Sequence, residues 1–246
     1  MTVAVNCDMG EAFGIWSLGD DEALMPEISM ANVACGFHGG DPLVMRRTVR
    51  LAKDNDVSVG AHPSYPDLQG FGRRAMALDP EELSAAILYQ AGALRAFLDA
   101  EDMSLTHVKP HGALYGAAAT DDATAHAIAD AAVALGGIPV MGMAGTKHEQ
   151  VYTARGLPFL AEYYADLEYA DDGSLLITRQ HVAYDPQQVR DRVARVLADG
   201  VAVSQSGKEI PMRADCVCVH SDTPGAVDVA RAVREAIGQV TSSQPQ

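Results

Sequence analysis

The chain of 246 residues carries 18 Lys and Arg against 33 Asp and Glu, a net charge of −15 that repels phosphate backbones and anionic lipid, so neither nucleic acid nor a membrane surface is an expected partner. Hydrophobic residues make up 48% of it, yet no run approaches the roughly 18 consecutive apolar residues of a membrane span. The first residues enter a strand-like alternation without the zones of a signal peptide, and a cytoplasmic location is expected.

Along the chain, short β-like runs alternate with longer helical ones, the pattern of successive βα units. Strands are predicted at Val3 to Asn6, Glu27 to Cys35, Val57 to Ala61, Leu105 to Lys109, Ile138 to Gly142, Pro158 to Tyr163 and Cys216 to His220. Ser174 to Gln180 follows the turn Asp171-Asp172-Gly173 and reads as an edge strand or hairpin arm. Asp41-Pro42, Asp79-Pro80, Asp185-Pro186 and Thr223-Pro224 each place a capping oxygen before a proline, marking helix starts. After Asp79, Glu82 sits where a capping box needs it, and Leu83, Ile87, Ala91, Leu94 and Leu98 recur as one buried stripe. Helices over Asp121 to Leu135 and Thr146 to Ala154 fill the remaining crossovers, and Cys7, Cys35, Cys216 and Cys218, lacking metal or redox spacing, read as reduced, buried groups. Residues 1–240 are expected to form a single domain, with 241–246 a flexible polar tail.

Nearly every strand ends in a polar cluster on its C-terminal side. An open sheet concentrates its site at one switch point, whereas a barrel lets all strand ends converge on one mouth. The fold class is therefore α/β, an irregular seven-stranded (β/α) barrel.

Asp8 and Glu11, in a Gly-containing turn after the first strand, suit cation binding or general-base work; the plainer alternative has Asp8 capping the turn and Glu11 in solvent. His38 lies between glycines ahead of a capped helix, where backbone approaches a ligand closely. The loop Gly60 to Arg74 is rich in Pro and Gly and carries His62, Asp67, Arg73 and Arg74; a guanidinium fork from either arginine matches a carboxylate. Leaving the fourth strand, Lys109 and His111 point the same way while His107 lies deeper, an arrangement suited to oxyanion stabilisation or proton transfer. There is no P-loop, since Gly142 to Lys147 matches one only superficially, and no Gly-x-Ser-x-Gly elbow.

Taken together, Asn6 to Glu11, Ala31 to Pro42, Gly60 to Arg74, His107 to Tyr115, Glu162 to Asp166 and His220 to Pro224, in that order over nearly the whole chain, resemble the LamB/YcsF family. The resemblance implies a barrel related to the glycoside hydrolase and polysaccharide deacetylase fold. It implies an ATP-dependent 5-oxoprolinase reaction in which 5-oxo-L-proline, ATP and water give L-glutamate, ADP and phosphate, ATP being a co-substrate. It also implies two partners, 5-oxoprolinase subunits B and C, which resemble allophanate hydrolase halves. On this reading Asp8, His38, His62, Lys109 and His111 are the catalytic set, and Glu11, Arg73, Arg74, Tyr115 and Asp166 contact substrate. Where the family usually has arginine after Asp166 this chain has Leu167, and Thr178 to His181 also departs from the family pattern, which puts the identity of the lactam in question. Two rivals stay open: a metal-dependent amide hydrolase or deacetylase acting alone, with a divalent ion on Asp8, His38 and His62, and a non-catalytic carrier that presents the lactam to its partners.

Overall fold

The computed structural model describes residues 3–176 and 183–243. Seven parallel strands close into a barrel: β1 (Ala4–Met9), β2 (Met30–Ala34), β3 (Ser58–His62), β4 (Leu105–Val108), β5 (Val140–Gly142), β6 (Phe159–Tyr164) and β11 (Cys216–His220), with β11 between β6 and β1. All seven predicted strands are present, and the α/β barrel expected from the sequence is the fold. Two small antiparallel pairs lie outside the barrel, β7 (Glu168–Tyr169) with β8 (Leu175–Leu176), and β9 (Val201–Val203) with β10 (Glu209–Pro211). The first realises the predicted hairpin arm as far as Leu176; the rest of that arm and the segment Thr178 to His181 lie outside the described residues.

Strand alternation separates the two faces of the barrel wall. On β1, Val5, Cys7 and Met9 join the apolar core, and Val33, Val59, Val108, Val217 and Val219 of other strands do the same. The opposite face of the wall supplies the buried polar residues Asn6, Asp8 and Asn32, joined by Glu162 of β6. The barrel interior is thus polar, unlike the branched aliphatic layers that usually fill such barrels. Gly60 makes room for part of this lining, because a Cβ there would come within 2.2 Å of the His107 ring.

The helices are α1 (Asp21–Leu24), α2 (Pro42–Asp54), α3 (Pro80–Asp99), α4 (Gly112–Ala118), α5 (Asp122–Ala134), α6 (Lys147–Ala154), α7 (Pro186–Asp199) and α8 (Ala226–Ser243). Asp41, Asp79 and Asp185 cap α2, α3 and α7 through their carboxylates as expected. The fourth Pro-marked start is corrected: α8 begins at Ala226, because the Thr223 hydroxyl, instead of capping, donates to Asp166 Oδ2 at 3.2 Å. The same helix runs through Ser243, so the first residues of the span read as a tail are helical. All five stripe residues of α3 are buried, and the four cysteines are free and buried.

Candidate active site

The C-terminal ends of the strands surround a cavity of about 360 Å³. Asp8 comes from β1, His62 from the end of β3, Lys109 from just past β4, Tyr164 from β6 and His220 from β11. Register places Asp8 beside Asn32 on one side and beside His220 on the other. Glu11, Arg73, His111, Tyr115 and Asp222 complete the wall from the loops and from α4.

Lys109 is buried at the floor. Its Nζ donates to Asp8 Oδ1 at 2.9 Å and to Cys218 Sγ at 3.1 Å, and forms an ion pair with Glu162 Oε1 at 2.9 Å. Burial disfavours the ammonium, but the charges of Asp8 and Glu162 outweigh it and raise the lysine well above its ordinary pKa, so it stays protonated. Burial likewise raises Asp8, yet the charges of His62 and Lys109 hold its carboxyl well below the usual range. Asn32 fixes the carboxylate further, its Nδ2 donating to Asp8 Oδ1 at 2.9 Å and to Asn6 Oδ1 at 2.8 Å. His107 lies beneath, as expected, with its Nε2 2.8 Å from Asn32 Oδ1; burial lowers it to about 3, so the ring is neutral and donates.

Three imidazoles meet beside Asp8 and Lys109. His62 Nδ1 donates to the Lys109 carbonyl at 2.7 Å, and His111 Nε2 donates to the Phe71 carbonyl at 2.8 Å. Their other nitrogens face each other, His111 Nδ1 to His62 Nε2, at 2.9 Å. Phe71 reaches this position in a left-handed conformation, φ 54°, uncommon for a side chain of its size. The following Gly72, φ 64°, lies so close that a Cβ would come within 2.7 Å of the His111 ring. His38 stacks on His111 at 3.7 Å and approaches Glu11 Oε1 through Nε2 at 3.0 Å. Burial, joined by the neighbouring imidazoles, pushes His38 and His111 well below the ordinary histidine value, and burial, reinforced by the Asp8 charge, raises Glu11. Ligand atoms of Glu11, His38, His62 and His111 all lie within 4.8 Å of one another, as do those of a second set, Asp8, Cys218 and His220.

Asp8, His62, Lys109, His111, Glu11, Arg73 and Tyr115 therefore share one cavity, and the solvent-facing alternative for Glu11 is excluded. His38 lies one step away: it lines an adjacent pocket with Phe13, Trp16 and Phe71 that also touches Glu11. Two of the residues expected at the substrate do not line this cavity. Arg74 turns out of the cavity into an ion pair with Asp67, while Arg73 lies at the cavity rim, 3.4 Å from Asp222 and over the Phe71 ring. Asp166 lies behind the wall instead of in it, its carboxylate taking the backbone N–H of His220 at 2.8 Å and approaching the ring Nδ1 at 2.9 Å. Glu162 was not singled out in the sequence, although a glutamate inside an otherwise apolar strand, in phase with Tyr164, was the available signal.

The LamB/YcsF family model matches residues 3–244. A lactam utilization protein, lamB, of Emericella nidulans is 45% identical over 242 residues, covering 96% of this chain and 94% of that protein. The A-subunit of a 5-oxoprolinase from Rhodopseudomonas palustris is 47% identical over 240 residues, again covering 96% and 94%. The crystal structure of a lactam utilization protein from Thermus thermophilus superposes with a TM-score of 0.90 at 45% identity, covering 98% of each chain.

Proposed function

Since the chain belongs to the LamB/YcsF family, we propose that it is the component of an ATP-dependent 5-oxoprolinase that holds 5-oxo-L-proline and opens its lactam ring. The reading is supported by relatives that are named lactam utilization protein or the A-subunit of 5-oxoprolinase. The observation that carries it is one cavity with a buried ammonium at its floor, Lys109, and a guanidinium at its rim, Arg73. A five-membered lactam bearing a carboxylate presents a carbonyl oxygen to one and an anion to the other. Its size also fits, since about 360 Å³ lies at the small end of ligand pockets.

A lactam is a stabilised amide, and phosphorylating its carbonyl oxygen makes the carbon a better target for water. In this reading 5-oxo-L-proline, ATP and two waters give L-glutamate, ADP and phosphate. One water oxygen bonds to the ring carbonyl carbon, the carbon–nitrogen bond breaks and the ring nitrogen takes a proton to become the free amine, leaving an acyl phosphate that the second water cleaves to the glutamate carboxylate and phosphate. The proton acceptor for the first water is drawn from the acidic and imidazole groups of the cavity wall, Asp8, Glu11, His62 and His111. Lys109 stabilises charge developing on the carbonyl oxygen, and Arg73 positions the substrate carboxylate. Subunits B and C are the proposed partners and the cytoplasm the proposed location. Among the described residues no helix is long and apolar enough to cross a membrane.

Calorimetric titration of 5-oxo-L-proline into this chain tests the assignment. Arg73→Gln is expected to weaken binding at least about tenfold, as loss of a charge-assisted contact should. Equal affinities of the wild type and Arg73→Gln would remove Arg73 from the substrate site. A second reading, amide hydrolysis by this chain alone through a bound metal, is favoured by the gathered imidazoles; turnover by the isolated chain without ATP separates the two.

A further inference from the structure

The imidazole pair His62 and His111 carries a constraint that the lactam reading does not use. Both outer nitrogens are hydrogen-bonded to backbone carbonyls, which accept and cannot donate, so His62 Nδ1 and His111 Nε2 each bear a hydrogen. His111 Nδ1 and His62 Nε2 thus face each other across 2.9 Å with no hydrogen placed between them, and the Asp8 carboxylate adds a third acceptor 3.3 Å from the same His62 Nε2. A cation must lie between or beside them: a shared proton, or a metal ion.

Three observations favour the metal. First, a ring N–H donated to a backbone carbonyl is the arrangement that fixes the tautomer of metal-binding histidines and turns the other lone pair toward the ion. Second, Glu11 Oε1 stands 3.5 Å from His111 Nδ1 and within 4.8 Å of His62. Ligands held about 2.0–2.1 Å from one ion sit about 3–3.5 Å apart, and the observed separations straddle that range. Third, three buried carboxylates, Asp8, Glu11 and Glu162, surround the one buried ammonium of Lys109, so a cation beside the imidazoles enters an acidic setting.

We infer that this chain binds one divalent metal ion of the zinc type through His62 Nε2, His111 Nδ1 and the Glu11 carboxylate, with an open position toward the cavity. Two imidazoles and a carboxylate with a vacant coordination site form a set that polarises a water or a carbonyl. His38 is a positioning residue in this site. Its ring is stacked on His111, 4° apart in plane and 3.7 Å between centroids, so the lone pairs of the two rings lie in parallel planes, whereas His62 crosses His111 at 89° with its Nε2 2.9 Å from Nδ1. His38 instead holds Glu11 through its Nε2. This set keeps His62 from the trio read in the sequence and puts Glu11 and His111 in place of Asp8 and His38.

The test uses the chelator-treated full-length chain with zinc as the probe and no lactam or ATP, so its outcome is separate from that of the lactam reading. Calorimetry is expected to show one equivalent bound. Ring-nitrogen resonances of His62 and His111 should move on adding zinc, while those of the exposed His126 stay in place. Glu11→Gln and His111→Gln should each weaken binding by about 100-fold or more, and His38→Asn by about tenfold. The inference is overturned if zinc leaves the wild-type His62 and His111 resonances unmoved, or if its affinity survives Glu11→Gln and His111→Gln unchanged. Because the wild-type spectra alone can fail the inference, a variant that does not fold leaves the test intact.

Discussion

Burying Lys109 takes an ammonium out of water at a cost of several kcal/mol, and the carboxylates of Asp8 and Glu162 offset that cost at 2.9 Å each. Removing the lysine while leaving both carboxylates exposes the unbalanced side of that exchange. Lys109→Met is expected to lower unfolding stability by about 3–5 kcal/mol in denaturant melts. A loss below about 1 kcal/mol would mean that the carboxylates do not depend on the lysine. His220 gives a second prediction at this scale. Burial lowers it, but the charge and hydrogen bond of Asp166 prevail and raise it to about 9. A raised histidine contributes stability that is complete below its ordinary value of about 6.5 and disappears as pH climbs through 9. Wild-type stability should therefore fall by on the order of 2–3 kcal/mol between roughly pH 7 and 10 relative to Asp166→Asn, in which the fall is absent; parallel profiles would refute the coupling. The residue scale is also where the sequence was hardest to read. Arg73 and Arg74 are adjacent and chemically identical, and only the turn through Asp67 sends one outward and leaves the other at the rim.

At the scale of elements, the barrel wall rests on alternation. The buried stripe of α3 packs against it through Leu94 and Leu98, whereas Leu83 and Ile87 belong to a separate apolar cluster with α4 and α5. Leu94 is fully buried, so Leu94→Ala should cost about 2–5 kcal/mol, and a cost under about 1 kcal/mol would show that the site collapses without a cavity. Helix starts were legible where an aspartate precedes proline, because the short carboxylate has few competing partners there. Thr223 failed as a start because a buried carboxylate distant in sequence claims its hydroxyl, and nothing local in the sequence announces that contact. The pair β9 and β10 went unread for a related reason: strands of three residues are too short to show alternation.

For the whole molecule, the closure of seven parallel strands explains why polar residues scattered from Asp8 to Asp222 meet in one cavity. The convergence of strand ends was legible because nearly every apolar run stops at His, Asp, Glu or Lys. The identity of the pairs was not, since Lys109 and Glu162 are joined only by the register of a closed sheet. The most direct test of the central claim is glutamate release from 5-oxo-L-proline by this chain combined with its candidate partner proteins, followed with and without ATP and with Lys109→Met in place of the wild type. Glutamate is expected only when ATP and the partners are both present, with turnover lost in Lys109→Met. Release by the isolated chain without ATP, or undiminished release when this chain is omitted, would contradict it.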